Sequence, residues 1–132
     1  MKKIGVFSII LVGALLSAFA QAGPILFTAN LAPEVAGATG TGSVSLAFDT
    51  TAHTLGINAN WSGLSGVTTV AHIHCCTAAP GTGTVGVAVT PGTLPGFPVG
   101  VSAGTYNVVI DLTNPANFTG GFVTNFAGGV FA

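Results

Sequence analysis

From Ser43 onward, apolar and polar residues alternate. Val44, Leu46 and Phe48 fall on one side of an extended chain, and Ser43, Ser45 and Asp49 fall on the other. The stretch "DTTAHT" interrupts the pattern with turn-forming residues. Leu55, Ile57, Ala59 and Trp61 then resume it, opposite Thr54, Asn58 and Asn60. A period of two on both sides of a short polar break predicts a hairpin of half-buried strands over 43–49 and 55–61. After "SGLSG", residues 67–74 read as a third extended run and residues 84–89 as a fourth. "TPGTLPGFPVG" reads as a Pro/Gly loop. Tyr106, Val108, Ile110 and Leu112 alternate again, and residues 25–30 add a strand at the start. Six short strands separated by turn residues predict an antiparallel β-sandwich. The last segment, "NFTGGFVTNFAGGVFA", is apolar and reads as exposed, without a polar terminus.

Composition points the same way. The 132 residues are enough for one domain. Twenty are glycine and seven proline. Outside the first residues, Thr, Val and Ala dominate and the charged helix formers are scarce, which predicts an all-β chain.

The N-terminus has a different pattern. Lys2 and Lys3 precede an apolar run from Ile4 to Phe19, followed by the small-residue patterns Ala18-Phe19-Ala20 and Ala20-Gln21-Ala22. The run is short for a membrane span and matches an export signal. Residues 1–22 are therefore expected to be a signal peptide and 23–132 the domain, with no membrane span once the signal is cleaved. Lys2 and Lys3 are the only Lys or Arg residues, so removing them takes the formal charge from −1 to −3. A chain without Lys or Arg cannot neutralise phosphates, which argues against nucleic-acid binding. An exported location follows: periplasmic, at the cell surface or extracellular. The partner class is an unknown protein or surface ligand.

Candidate chemistry concentrates in "VAHIHCC". On a strand, His72 and His74 share a face, and two residues span about 6.5–7 Å, which brings both imidazoles within reach of one copper or zinc ion. Cys75 and Cys76 would add thiolate ligands. The favoured reading is that the histidines hydrogen-bond the following loop and hold it against the sheet. Neighbouring Cα atoms across a trans peptide lie about 3.8 Å apart, whereas ordinary disulfides want roughly 4.4–6.8 Å. The cysteines are therefore a vicinal disulfide, two thiols, metal ligands or a bond between chains, and the first is favoured. His53, the remaining histidine, falls in the turn. No G-x-S-x-G elbow occurs, and only Glu34, Asp49 and Asp111 supply carboxylates. No catalytic residue and no cofactor are expected, copper or zinc being the alternative.

The run from Thr39 to Val89 resembles the CHRD domain, first described in chordin and common in exported bacterial proteins. The Gly-x-Gly strand falls at 40–46, the hairpin at 55–64, "AHIH" at 71–74 and the Pro-Gly loop with its strand at 80–87. The resemblance spans 26–112, and "HIHCC" with "PGFPVGVSAGTY" looks like a bacterial branch. It implies a Greek-key sandwich, immunoglobulin-like or similar to copper/zinc superoxide dismutase. It also implies an extracellular, non-enzymatic module with a binding or structural role. The family's closing "Y-x-N-x-H-T" strand and "P-G-G-E-I-R-G" segment have no counterpart, so the resemblance implies a domain lacking its last strands.

Overall fold

A computed structural model of the chain describes residues 23–79 and 82–127. The expected signal peptide lies outside the described residues. Strands run over Ile25–Leu31 (β1), Thr41–Asp49 (β2), Thr54–Ser62 (β3), Ile73–His74 (β4), Val87–Val89 (β5) and Gly104–Asp111 (β6). β1, β2, β3 and β6 form one antiparallel sheet in that order, and β4 pairs with β5. The fold is all-β and sandwich-like, as the alternation predicted.

The hairpin pairs β2 with β3 over their full length, Asp49 opposite Thr54. Its turn closes on the Asp49 carboxylate, which accepts from the amides of Thr51 and Ala52 at 2.9 and 2.8 Å. Such a side-chain-capped turn is why Asp favours this position. Register then sorts the side chains into rows. Phe27, Leu46, Ile57 and Val108 lie side by side on the inner face, as do Ala29, Val44, Ala59 and Tyr106. The next row is Leu31, Gly42, Trp61 and Gly104. Here the largest side chain sits between two residues without one. A Cβ added at Gly104 would stand 2.7 Å from Cζ2 of the indole. The outer face is largely polar, and Asn60 donates to the Ser43 hydroxyl across the strands at 2.7 Å.

The second layer is smaller than the first. Ala88 and Val89 of β5 join Ile57, Trp61, Tyr106, Ile110, Leu94 and Phe118 in the buried cluster. This layer covers β3 and β6, leaves β2 half-buried and does not reach β1. Every residue of β1 is exposed, including inner-face Ile25 at 50% and Phe27 at 53%.

Two expectations change. The run over 67–74 is a ladder strand only at Ile73–His74. Upstream, its partner is the Pro/Gly loop. Thr68 donates its amide to Val101 and accepts from the Gly100 amide, and the Ala71 carbonyl accepts from the Leu94 amide. Pro95 and Pro98 have no N–H to donate, so a regular ladder cannot form. Threonine hydroxyls fill the gaps: Thr68 Oγ1 donates to the Pro98 carbonyl at 2.7 Å, and Thr93 Oγ1 accepts from the Ala71 amide at 2.9 Å. For its part, the fourth run narrows to Val87–Val89. The described part of the terminal segment is also not simply exposed, and its residues 128–132 lie outside the described residues. It turns through Pro115–Asn117, Gly120–Phe122 and Val123–Ala127. Phe118 is buried, and Thr119 is tied to β5 by its amide to the Ala88 carbonyl and its hydroxyl to that of Val87.

Candidate functional site

Where the second layer stops short of β1, it leaves an apolar cleft of about 700 Å³. Val44, Leu46, Ala59, Trp61 and Tyr106 form its floor from the sheet's inner face. The opposite wall comes from residues 64–68 and 71–74 together with Leu94 and Phe97. Phe97 stacks on Trp61 with centroids 5.2 Å apart and meets Tyr106 edge-on at 5.3 Å. Such contacts favour a rigid aromatic base. The Tyr106 hydroxyl donates to the Pro95 carbonyl at 2.8 Å and so holds the loop on the sheet. Burial pushes the Tyr106 phenol above its usual pKa. The indole N–H of Trp61 is buried and finds no acceptor among the described residues.

Both histidines line this cleft. Their rings meet edge-on with centroids 5.4 Å apart. His72 is half-buried and His74 exposed. His74 Nδ1 lies 2.7 Å from the Val85 carbonyl. A carbonyl only accepts, so Nδ1 carries a proton, and in the neutral ring the lone pair is on Nε2. This bond ties the end of β4 to the far side of the loop that follows it.

Cys75 and Cys76 are joined in a disulfide, with their Cα atoms 3.1 Å apart across a cis peptide. Cys75 packs against the core, and Cys76 is exposed. The four potential donors of the five-residue His-x-His-Cys-Cys run are thus His72, His74 and two sulfurs that are bonded to each other.

His53 belongs to the other end of the sheet. It sits in the β2–β3 turn at φ 52°, and its carbonyl accepts from the Leu112 amide at 2.8 Å. Among the described residues, no three His, Cys, Asp or Glu side chains converge in a way that would hold a metal ion. Asp111 accepts from the hydroxyl and amide of Thr113 at 2.7 and 2.8 Å, which holds its carboxyl below the usual range. None of the three carboxylates lines the cleft.

The sequence reading missed the aromatic base and its loop wall. The available signal was Leu94 and Phe97, two large apolar residues inside "TPGTLPGFPVG". A loop that only turned would expose them, whereas Leu94 is buried.

A family model of the CHRD domain matches residues 25–128. The chain belongs to the CHRD-domain family. The matched span takes in all six strands, the cleft and both of its histidines. No curated protein and no solved structure matches the chain. CHRD domains are generally extracellular or exported. Among the described residues, no helix is long and apolar enough to cross a membrane.

Proposed function

We propose that this CHRD-domain chain is an exported, non-enzymatic binding module, acting at the cell surface or outside the cell, and that the apolar cleft is its binding surface. The cleft itself carries this reading. Its size falls in the range of small-molecule and peptide-anchor sites, and it is apolar with a few polar groups along one wall. Its ionisable groups are two imidazoles and a phenol already engaged with Pro95. An uncharged, apolar partner fits such a surface; a polyanion does not.

The test uses the dye 8-anilinonaphthalene-1-sulfonate. Trp61 is the sole tryptophan and lines the cleft, so energy transfer from it reports dye bound to the domain, and the response to a cleft-filling substitution assigns that binding to the cleft. Saturable transfer is expected. Ala59→Phe, which fills the cleft, should weaken it about tenfold, equivalent to 1.4 kcal/mol. Non-saturable dye binding, or binding indifferent to Ala59→Phe, overturns the cleft. Turnover of an ester, phosphate ester or glycoside that disappears in the His72→Ala, His74→Ala double variant overturns the non-enzymatic reading.

One observation favours a second reading, that His72 and His74 bind copper or zinc. The Nδ1–H of His74 is anchored on a backbone carbonyl, as in many metal-ligating histidines, which leaves Nε2 available. The reading expects stoichiometric uptake of Cu²⁺ or Zn²⁺, measured calorimetrically, that is lost in the same double variant. No uptake at saturating metal ends it.

A further inference from the structure

β1 is a sheet edge left open on two counts. Its outer backbone groups have no strand beside them among the described residues, and all seven of its side chains are exposed. Natural edge strands are blunted by charge, proline, a bulge or a cover. β1 reads ILFTANL. It has no charge and no internal proline, and its ladder with β2 runs without a register shift. The acidic residues Glu34, Asp49 and Asp111 all lie outside it.

We infer that β1 pairs with β1 of a second copy of this chain. An added strand must be uncharged along its length, since β1 offers nothing to complement a charge. It must also be apolar on alternate positions, since one face of β1 continues the sheet's apolar side. β1 itself meets both requirements. About a two-fold axis through Thr28, antiparallel pairing sets Ile25 of one copy opposite Leu31 of the other, and Phe27 opposite Ala29. Those residues all belong to the inner face. On the outer face Thr28 meets Thr28, and Leu26, 73% exposed, meets Asn30. Directly opposed side chains sit about 4.5–5.5 Å apart at Cβ, so each inner-face pair covers apolar surface that one copy leaves in water. The result is one continuous sheet across both copies, with both clefts on the same side.

The test is sedimentation equilibrium of the full mature chain. The unmodified chain is expected to dimerise reversibly. Thr28 is exposed and outer-facing, so Thr28→Lys and Thr28→Glu leave the core alone. Each places like charges directly opposite across the axis and should weaken the dimer about fivefold or more. Mixing the two variants pairs opposite charges and should restore association as a heterodimer. Near-UV circular dichroism unchanged in both variants shows that the fold persists. A monomeric unmodified chain overturns the proposal. So does a dimer indifferent to both substitutions, or one that mixing does not restore. Leu31 is the one residue of β1 that lines the cleft, so dye binding is measured on the Thr28 variants as well; saturable binding there, with the dimer weakened, keeps the two readings apart.

Discussion

Tyr106 and Pro95 are joined by a hydrogen bond of 2.8 Å that fastens the Pro/Gly loop to the sheet and so closes one wall of the cleft. Tyr106→Phe removes the donor and keeps the packing of the ring. The expected cost is about 1 kcal/mol in denaturant unfolding. The phenol's pKa is raised above 10.0 in the folded chain. The folded state therefore holds the proton more tightly. The associated stability is complete below the unfolded value and is lost as pH rises through the folded one. Unfolding midpoints measured from pH 8 to 11.5 should fall above pH 10, and Tyr106→Phe should flatten that fall.

Trp61 occupies space released by glycine on its neighbouring strands. Gly104→Ala would push a methyl to 2.7 Å from the indole, which packs against Phe97 and cannot swing away freely. Overpacking of this kind costs about 1–3 kcal/mol. Tryptophan emission should change together with the denaturation midpoint. Val109→Ala on the exposed outer face, 66% accessible, should change neither appreciably.

Asp111 gives the acid limb. Its carboxylate is held below its ordinary 3.8 chiefly by the Thr113 hydroxyl and amide. A depressed folded pKa contributes stability that is present above the unfolded value and is lost as pH falls through the folded one. Stability should therefore decline below about pH 4. Asp111→Asn keeps an acceptor for Thr113 and removes the titration, so its midpoint should vary less over pH 2–5 than that of the unmodified chain.

The cysteine pair can be read by mass. With the two sulfurs bonded to each other and no other cysteine in the chain, iodoacetamide should leave the native protein unmodified. After reduction it should add two carbamidomethyl groups per chain, one on each cysteine. Because the bond is intrachain, non-reducing electrophoresis should show no covalent dimer.

The strand periods were legible residue by residue. Alternation of Val44, Leu46 and Phe48, then Leu55, Ile57, Ala59 and Trp61, named the inner face of the hairpin, and that face is where the structure places them. Period two works locally because successive side chains must point to opposite sides of a strand. The run over 67–72 misled for the same reason. It is extended, but its partner is a loop whose prolines cannot complete a ladder. His72 and His74 were found because their spacing is local, and His74 makes the expected bond to the following loop; that its acceptor is the Val85 carbonyl, 11 residues on, was not legible.

The sequence by itself determined the all-β class, the faces of the long strands, the lack of Lys and Arg after residue 3, and the adjacency of Cys75 and Cys76. Each is a property of neighbours along the chain. Only the tertiary structure decided that Trp61 lies between Gly42 and Gly104, that Thr68 reaches Val101 across 33 residues, and that the second layer ends before β1. Periodicity says which face a side chain takes, but not which strand lies beside it or how far the opposite layer extends. Those depend on loop closure and on the total apolar surface available to cover the sheet.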